Sequence, residues 1–169
     1  MNYFELFEIP VQLKPSPEGL KKKFYELSRR YHPDYYSQSA EDEKTEMLEK
    51  SSLLNKAWKT LQDPDDTIKY VLKLKGVLEE EEKYSLPPDF LMEMLEISEQ
   101  AMEARMEGDG GLVAKSLEQV AQIQTEIYEP VKEIVEHYQD SLVSEKELLQ
   151  VKEYYYKKKY LNRILEGLR

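Results

Sequence analysis

Apolar side chains recur every three to four residues along most of the chain, and each segment so defined reads as helix. YFELFEI (3–9) is a short apolar turn or two, closed by Pro10. Ser16 followed by Pro17 forms an N-cap with proline at the first helical position. Leu20, Phe24, Leu27 and Tyr31 then follow at spacings of four, three and four, one stripe of an amphipathic helix. Pro33 ends it, because proline lacks a backbone donor and disfavours helical geometry in the residue before it. The polar run YYSQSAEDE (35–43) reads as a loop. Beyond it Met47, Ser51, Leu54, Trp58 and Leu61, with Ala57 beside them, predict a helix that stops at Asp63-Pro64. A further helix over about 65–75 carries Ile68, Val71 and Leu72 and terminates at Gly76.

The stretch GVLEEEEKYSLPPD (76–89) breaks the pattern. A glycine, four consecutive glutamates and a double proline do not build a core, so 76–88 is expected to be a linker with solvated glutamates. It separates a unit at 1–75 from one at 89–169. Three long helical patterns follow. The first, about 88–107, ends near EGDGG. The second, about 111–139, has Val113, Leu117, Val120, Ile127, Val131, Ile134 and Tyr138 along one face, and Pro130 should kink or divide it. The third opens at Ser144 with Glu147 three residues on, the spacing of a capping box, and continues through Leu148, Val151, Tyr155 and Leu165. Short breaks between long helices favour antiparallel neighbours, hence a three-helix bundle. The expected fold class is all-α throughout.

Composition narrows the choice of function. A chain of 169 residues that is 34% charged and 40% apolar, with six glycines, suits a soluble helical protein of one or two small domains. No apolar run approaches the roughly 18 residues that a membrane-spanning helix needs, and the start lacks the basic-then-apolar order of a signal peptide. Zero cysteines exclude disulfides, thiolate ligands and a cysteine nucleophile, and fit a cytosolic setting. The net charge of −10 is uneven: 13 basic and 13 acidic residues lie up to Gly76, and 11 against 21 lie beyond it. Such asymmetry argues for two units with different partners, and against general binding of nucleic acid, which draws its affinity from a basic surface.

Candidate chemistry sits in two places. In LKKKFYELSRRYHPD the apolar stripe is already assigned, so Lys21, Lys22, Lys23, Arg29 and Arg30 must point largely outward, with His32, Pro33 and Asp34 just past the helix end. A solvated face is the plain account of such lysines; a contact surface is the other. Catalysis by His32 lacks a serine or cysteine nucleophile with a supporting constellation. Two imidazoles, His32 and His137, without thiols make a poor zinc site, and no Glu-x-x-His pair offers a di-iron site. No cofactor or metal is therefore expected.

The order of these features, an aromatic pair at the start, a basic helix, His-Pro-Asp, then NKAWKTLQDP (55–64), resembles the J-domain, over residues 1 to about 75. The resemblance implies an antiparallel helix pair with His32-Pro33-Asp34 at its tip. It further implies that these three residues stimulate the ATPase of a DnaK-class chaperone, approached through the basic face Lys21 to Arg30.

The second place is PPDFLMEMLEISEQAMEARME (87–107), which carries two apolar lines. Phe90, Met94, Ile97, Ala101 and Ala104 suffice for a core face. Leu91, Leu95, Met102 and Met106, with Met92 near them, lie roughly 140° away, edged by Glu96, Glu99 and Glu103. Both lines could be buried in a central helix, or the second could be an exposed protein-binding strip, a role to which flexible methionine is suited.

MNYFELFEIP at the start, LNKAWKTLQDP (54–64) and DFLMEMLE (89–96) together resemble the HscB family over essentially the full length. That resemblance implies a co-chaperone without catalytic activity of its own, which presents the iron–sulfur scaffold protein IscU to an HscA-type chaperone. It places the scaffold surface at Leu91, Met92, Leu95, Glu96, Glu99 and Glu103, with Tyr160 of KKYLNRIL as the family's aromatic position on the last helix. The chain starts without the cysteine-rich extension of some eukaryotic members, so neither a zinc module nor a transit peptide is expected, and a bacterial, cytoplasmic form is. Two rival readings stay open: a J-domain protein serving an unrelated client, and a small helical enzyme.

Overall fold

The computed structural model describes residues 1–168. They are all helix, turn and loop, and they divide into two compact units: residues 1–74 with 138–143, and residues 75–137 with those from 144 onward.

In the first unit α1 (Tyr3–Leu6) is capped by the Asn2 side chain, which accepts from the Glu5 N–H at 2.8 Å. Helix α2 (Pro17–Arg30) starts as the Ser-Pro pair predicts, with Ser16 Oγ accepting from the Gly19 N–H. It packs on α3 (Glu41–Leu61). Phe24 stacks on Trp58, ring centroids 4.6 Å apart, and seven residues further along α2 the Tyr31 ring lies under Lys50. A forward step on α2 is a backward step on α3, so the two helices run antiparallel. Leu20, Leu27, Leu54, Ala57 and Leu61 are buried between them and their neighbours. Helix α4 (Pro64–Leu74) closes the unit: Tyr70 stacks on Tyr3 at 4.4 Å, and its hydroxyl accepts from the Tyr3 N–H.

The polar run 35–43 differs from expectation. Pro33–Tyr36 forms a 3-10 turn, and α3 begins inside the run at Glu41. Glu41, Asp42 and Glu43 occupy its first turn, where the positive end of the helix dipole favours carboxylates. Polarity that reads as loop is here the signature of a helix start.

The second unit is a bundle of α5 (Pro88–Glu107), α6 (Gly110–Tyr128) and α8 (Glu145–Leu168), each in contact with the other two. Phe90, Met94, Ile97, Ala101, Val120, Ile123 and Leu161 form its core. Gly108, at φ 72°, ends α5 in the left-handed conformation that glycine adopts without strain. Pro130 divides the second long pattern: α6 stops at Tyr128, a 3-10 turn spans Glu129–Val131, and α7 covers Lys132–Glu136. The expected face along that pattern holds in part: Val120, Val131 and Tyr138 are buried and Val113, Ile127 and Ile134 half-buried. Leu117 is exposed, Tyr138 lies beyond α7, and the buried line of α6 runs through Ser116, Val120 and Ile123. Ser116 is tolerated inside because its Oγ donates to the Leu112 carbonyl and accepts from Gln100 Nε2. At the start of α8, Ser144 and Glu147 make both hydrogen bonds of the capping box.

Residues 76–88 carry ordered contacts. Leu78 is buried, Tyr84 stacks on Tyr156 at 4.5 Å, and Glu82 lies 2.7 Å from Lys152 Nζ, which in turn sits over the Tyr84 ring.

Candidate functional site

In the first unit, His32, Pro33 and Asp34 form an exposed tip between α2 and α3. Proline 33 forces the chain out of the helix, and three local bonds then hold the turn. His32 Nδ1 accepts from the Asp34 N–H at 3.2 Å, the Tyr35 N–H donates to the His32 carbonyl, and the Tyr36 hydroxyl donates to the Arg30 carbonyl at 2.7 Å. The last of these satisfies an orphan acceptor at the end of α2. The backbone is therefore fastened while the Asp34 carboxylate is left 91% exposed, with the His32 imidazole 3.7 Å from it. The arrangement leaves a held carboxylate facing solvent.

The five basic residues separate into two groups. Lys21, Lys22 and Arg29 are exposed, Lys21 lying 6.0 Å from the Tyr25 ring centroid. Lys23 and Arg30 are engaged. Lys23 Nζ is 3.0 Å from Glu8, and Arg30 bonds Glu26 at 3.1 Å with Glu8 at 3.5 Å. The Lys23 hydrogen bond and charge, with Arg30 behind them, hold the Glu8 carboxyl below the usual carboxylate range. Glu8 sits at φ 58°, a strained conformation for a residue other than glycine. Glu26 could have been read from its helical spacing to Lys23 and Arg30. Glu8, some fifteen residues from Lys23, carried no such signal.

In the second unit, the core line of α5 is buried at Phe90, Met94, Ile97, Ala101 and Ala104. The other line is open: Met92, Leu95, Met102 and Met106 are exposed and Leu91 is half-buried. Glu96, Glu99 and Glu103 are exposed along its outer edge. Tyr160 of α8 is brought to the same side, half-buried, with its ring edge-on to Phe90 at 6.2 Å. Between α5 and α8 lies a groove of about 620 Å³ whose walls include Met102, Met106, Tyr160, Arg163 and Ile164. Sequence reasoning missed Arg163 and Ile164, although they stand three and four residues from Tyr160 and so share its face. Among the described residues no cluster of His, Asp and Glu side chains is placed to hold a metal ion, and no helix is long and apolar enough to cross a membrane.

Residues 2–70 match the family described as "DnaJ domain", and residues 86–169 match "HSCB C-terminal oligomerisation domain". The chain belongs to the HscB family. Its tip is thus the His-Pro-Asp turn of a J-domain, and its bundle the HscB carboxy-terminal domain. HscB relatives include proteins named "Co-chaperone protein HscB homolog" from Vibrio cholerae and Neisseria gonorrhoeae. The first is 36% identical over 101 residues, covering 59% of each chain; the second is 36% identical over 105 residues, covering 62% of this chain and 63% of the relative. The chain thus spans about three-fifths of the curated relatives' length. The structure is similar to human HscB, with a TM-score of 0.79 and 28% identity over 99% of this chain and 80% of the other. It also has the fold of HscB from Vibrio cholerae, with a TM-score of 0.74 and 24% identity over 99% and 95%.

Proposed function

We propose that the protein is a cytoplasmic co-chaperone, without catalytic activity of its own, that presents the iron–sulfur scaffold protein IscU to an HscA-type DnaK-class chaperone. The carrying observation is that each unit leaves one specialised surface uncovered. These are the tip with its exposed Asp34 carboxylate in the first, and the glutamate-edged ridge from Leu91 to Glu103 in the second.

At the tip, Asp34 would pair with a cation on the chaperone, and His32 and Pro33 hold the backbone that aims it. Lys21, Lys22 and Arg29 would draw in an acidic surface, an effect on association rate that weakens as salt rises. Truncating one partner of a charge pair buried in an interface costs about 2–5 kcal/mol, enough for Asp34→Asn to abolish stimulation. On the ridge, Leu91, Met92 and Leu95 supply apolar contact, Glu96, Glu99 and Glu103 meet cations of the scaffold, and Tyr160 adds aromatic area. Joining two modest contacts in one chain raises the concentration of client at the chaperone without any new contact.

The test is the chaperone's ATPase rate with this protein and IscU, added singly and together. Synergy is expected. Asp34→Asn should remove it while scaffold affinity stays near normal, and replacing Leu91, Met92 and Leu95 with alanine should do the reverse. Stimulation that ignores Asp34, or scaffold binding that ignores the ridge, would overturn the proposal.

A further inference from the structure

The ridge does not end at Glu103. Met102 and Met106 continue the line of Leu91 and Leu95 by about three further turns of α5, Met106 lying past Glu103, and both are exposed. They also form one wall of the groove whose other wall is Tyr160 and Ile164 of α8. The rims of this face differ in sign. Its outer edge carries Glu96, Glu99 and Glu103, whereas its α8 edge carries Arg163, which is exposed and makes no ion pair among the described residues. The neighbouring guanidinium is already committed: Arg105 donates to the Gly167 and Leu168 carbonyls, satisfying acceptors at the end of α8 and holding the groove's floor.

We infer that this groove seats an apolar side chain of the scaffold segment with a carboxylate beside it, the carboxylate pairing with Arg163 while basic residues of the same segment lie along Glu99 and Glu103. The inference rests on the scaffold reading above and adds to it an orientation. A partner with one cationic and one anionic flank fits across the face in one direction only, because reversal would put like charges together on both rims. Thioether walls suit the task, since methionine adapts its shape to an inserted side chain.

The experiment is calorimetric titration of apo-IscU into four proteins: wild type, Leu91→Ala/Leu95→Ala, Met102→Ser/Met106→Ser and Arg163→Glu. Circular dichroism would confirm that each retains its helix content; all these positions except half-buried Leu91 are exposed. The groove pair and Arg163→Glu should each weaken binding by about tenfold or more, and raising salt should shrink the loss for Arg163→Glu alone. If the Leu91/Leu95 pair loses binding while both groove variants keep it, the groove inference is overturned and the scaffold reading stands. If wild type does not bind apo-IscU, or all variants bind alike, both fall.

Discussion

The Tyr36 hydroxyl donates to the Arg30 carbonyl at 2.7 Å, tying the far side of the His-Pro-Asp turn back to the last turn of α2. The bond spans the three residues through which the chaperone is proposed to be engaged. Tyr36→Phe deletes the donor and leaves the ring. A single such hydrogen bond contributes about 0.5–1.5 kcal/mol, too little to unfold the unit but enough to loosen the tip. Amide exchange at residues 31–36 is expected to quicken while the melting transition barely moves. Stimulation of the chaperone ATPase should fall, because Asp34 is then held in more orientations. Unchanged exchange in the variant would show that the bond does not hold the tip.

Glu8 occupies Lys23 and Arg30, two of the five cations on the basic helix. Its carboxyl is held below the ordinary range, first by the Lys23 hydrogen bond and charge. The unfolded chain therefore binds this proton more readily than the folded one, so the pair's contribution is present above the ordinary carboxylate pKa. It is lost as pH falls through the depressed value. Glu8→Gln should melt lower than wild type near neutral pH, and the difference should close in acid. The same variant frees Lys23 and Arg30, so it should associate faster with an acidic chaperone surface at low salt. A melting difference that persists unchanged into acid would point to the strained backbone at Glu8 rather than to its charge.

What the sequence made legible follows the range of each interaction. Ser16 with Gly19 and Ser144 with Glu147 are three-residue relations, so these two caps could be read directly, whereas the start of α3 at Glu41, with no side-chain cap, could not. The antiparallel pairing of α2 with α3 came from the resemblance to the J-domain; the two apolar stripes gave only the faces that meet. The face of α6 was read only in part: Val120 is buried as expected, but Leu117 is exposed and Ser116 is buried instead. The choice depends on Gln100, a residue of α5 that satisfies the Ser116 hydroxyl. On α5 the pattern gave Phe90, Met94, Ile97, Ala101 and Ala104 as a sufficient core face, which is the buried one, but left open whether the second line was covered too. Only packing against α6 and α8 leaves Leu95, Met102 and Met106 uncovered, and only the approach of α8 sets Arg163 beside them. Local chemistry is printed in the chain; the partner of an exposed face is not.

Thr67 joins α4 to the end of α3. Its side chain is fully buried, and its Oγ1 lies 2.8 Å from the Asp63 carbonyl, with the Leu61 and Thr60 carbonyls at 3.1 and 3.2 Å. Thr67→Val keeps the shape and removes the donor, leaving carbonyls at a buried helix end without it. The expected cost is about 1–3 kcal/mol. For a unit of this size, each kcal/mol lowers the melting temperature by about 4–8 °C. Differential scanning calorimetry should show that drop in the transition of the first unit alone. Scaffold binding by the second unit should be unaffected.

The methionines of α5 allow a chemical test of the exposed ridge. Met92, Met102 and Met106 are 63%, 60% and 85% exposed, whereas Met94 on the core line of the same helix is 0% exposed. Peroxide transfers one oxygen to a thioether and leaves as water, and reaction follows exposure, so the three outer residues should become sulfoxides well before Met94. The chain has no cysteine to compete for the oxidant. A sulfoxide is polar and stiffer in its preferences than a thioether, so an oxidised ridge should bind IscU more weakly while the bundle, with Met94 intact, stays folded. Peptide mass spectrometry after brief peroxide treatment gives the order of oxidation, and methionine sulfoxide reductase should restore the affinity. Replacing the three exposed residues with leucine should preserve binding and make it indifferent to peroxide. Loss of affinity in that leucine variant after the same treatment would place the sensitive group elsewhere, and oxidation of Met94 in step with the others would mean that the helix does not hold its core face closed.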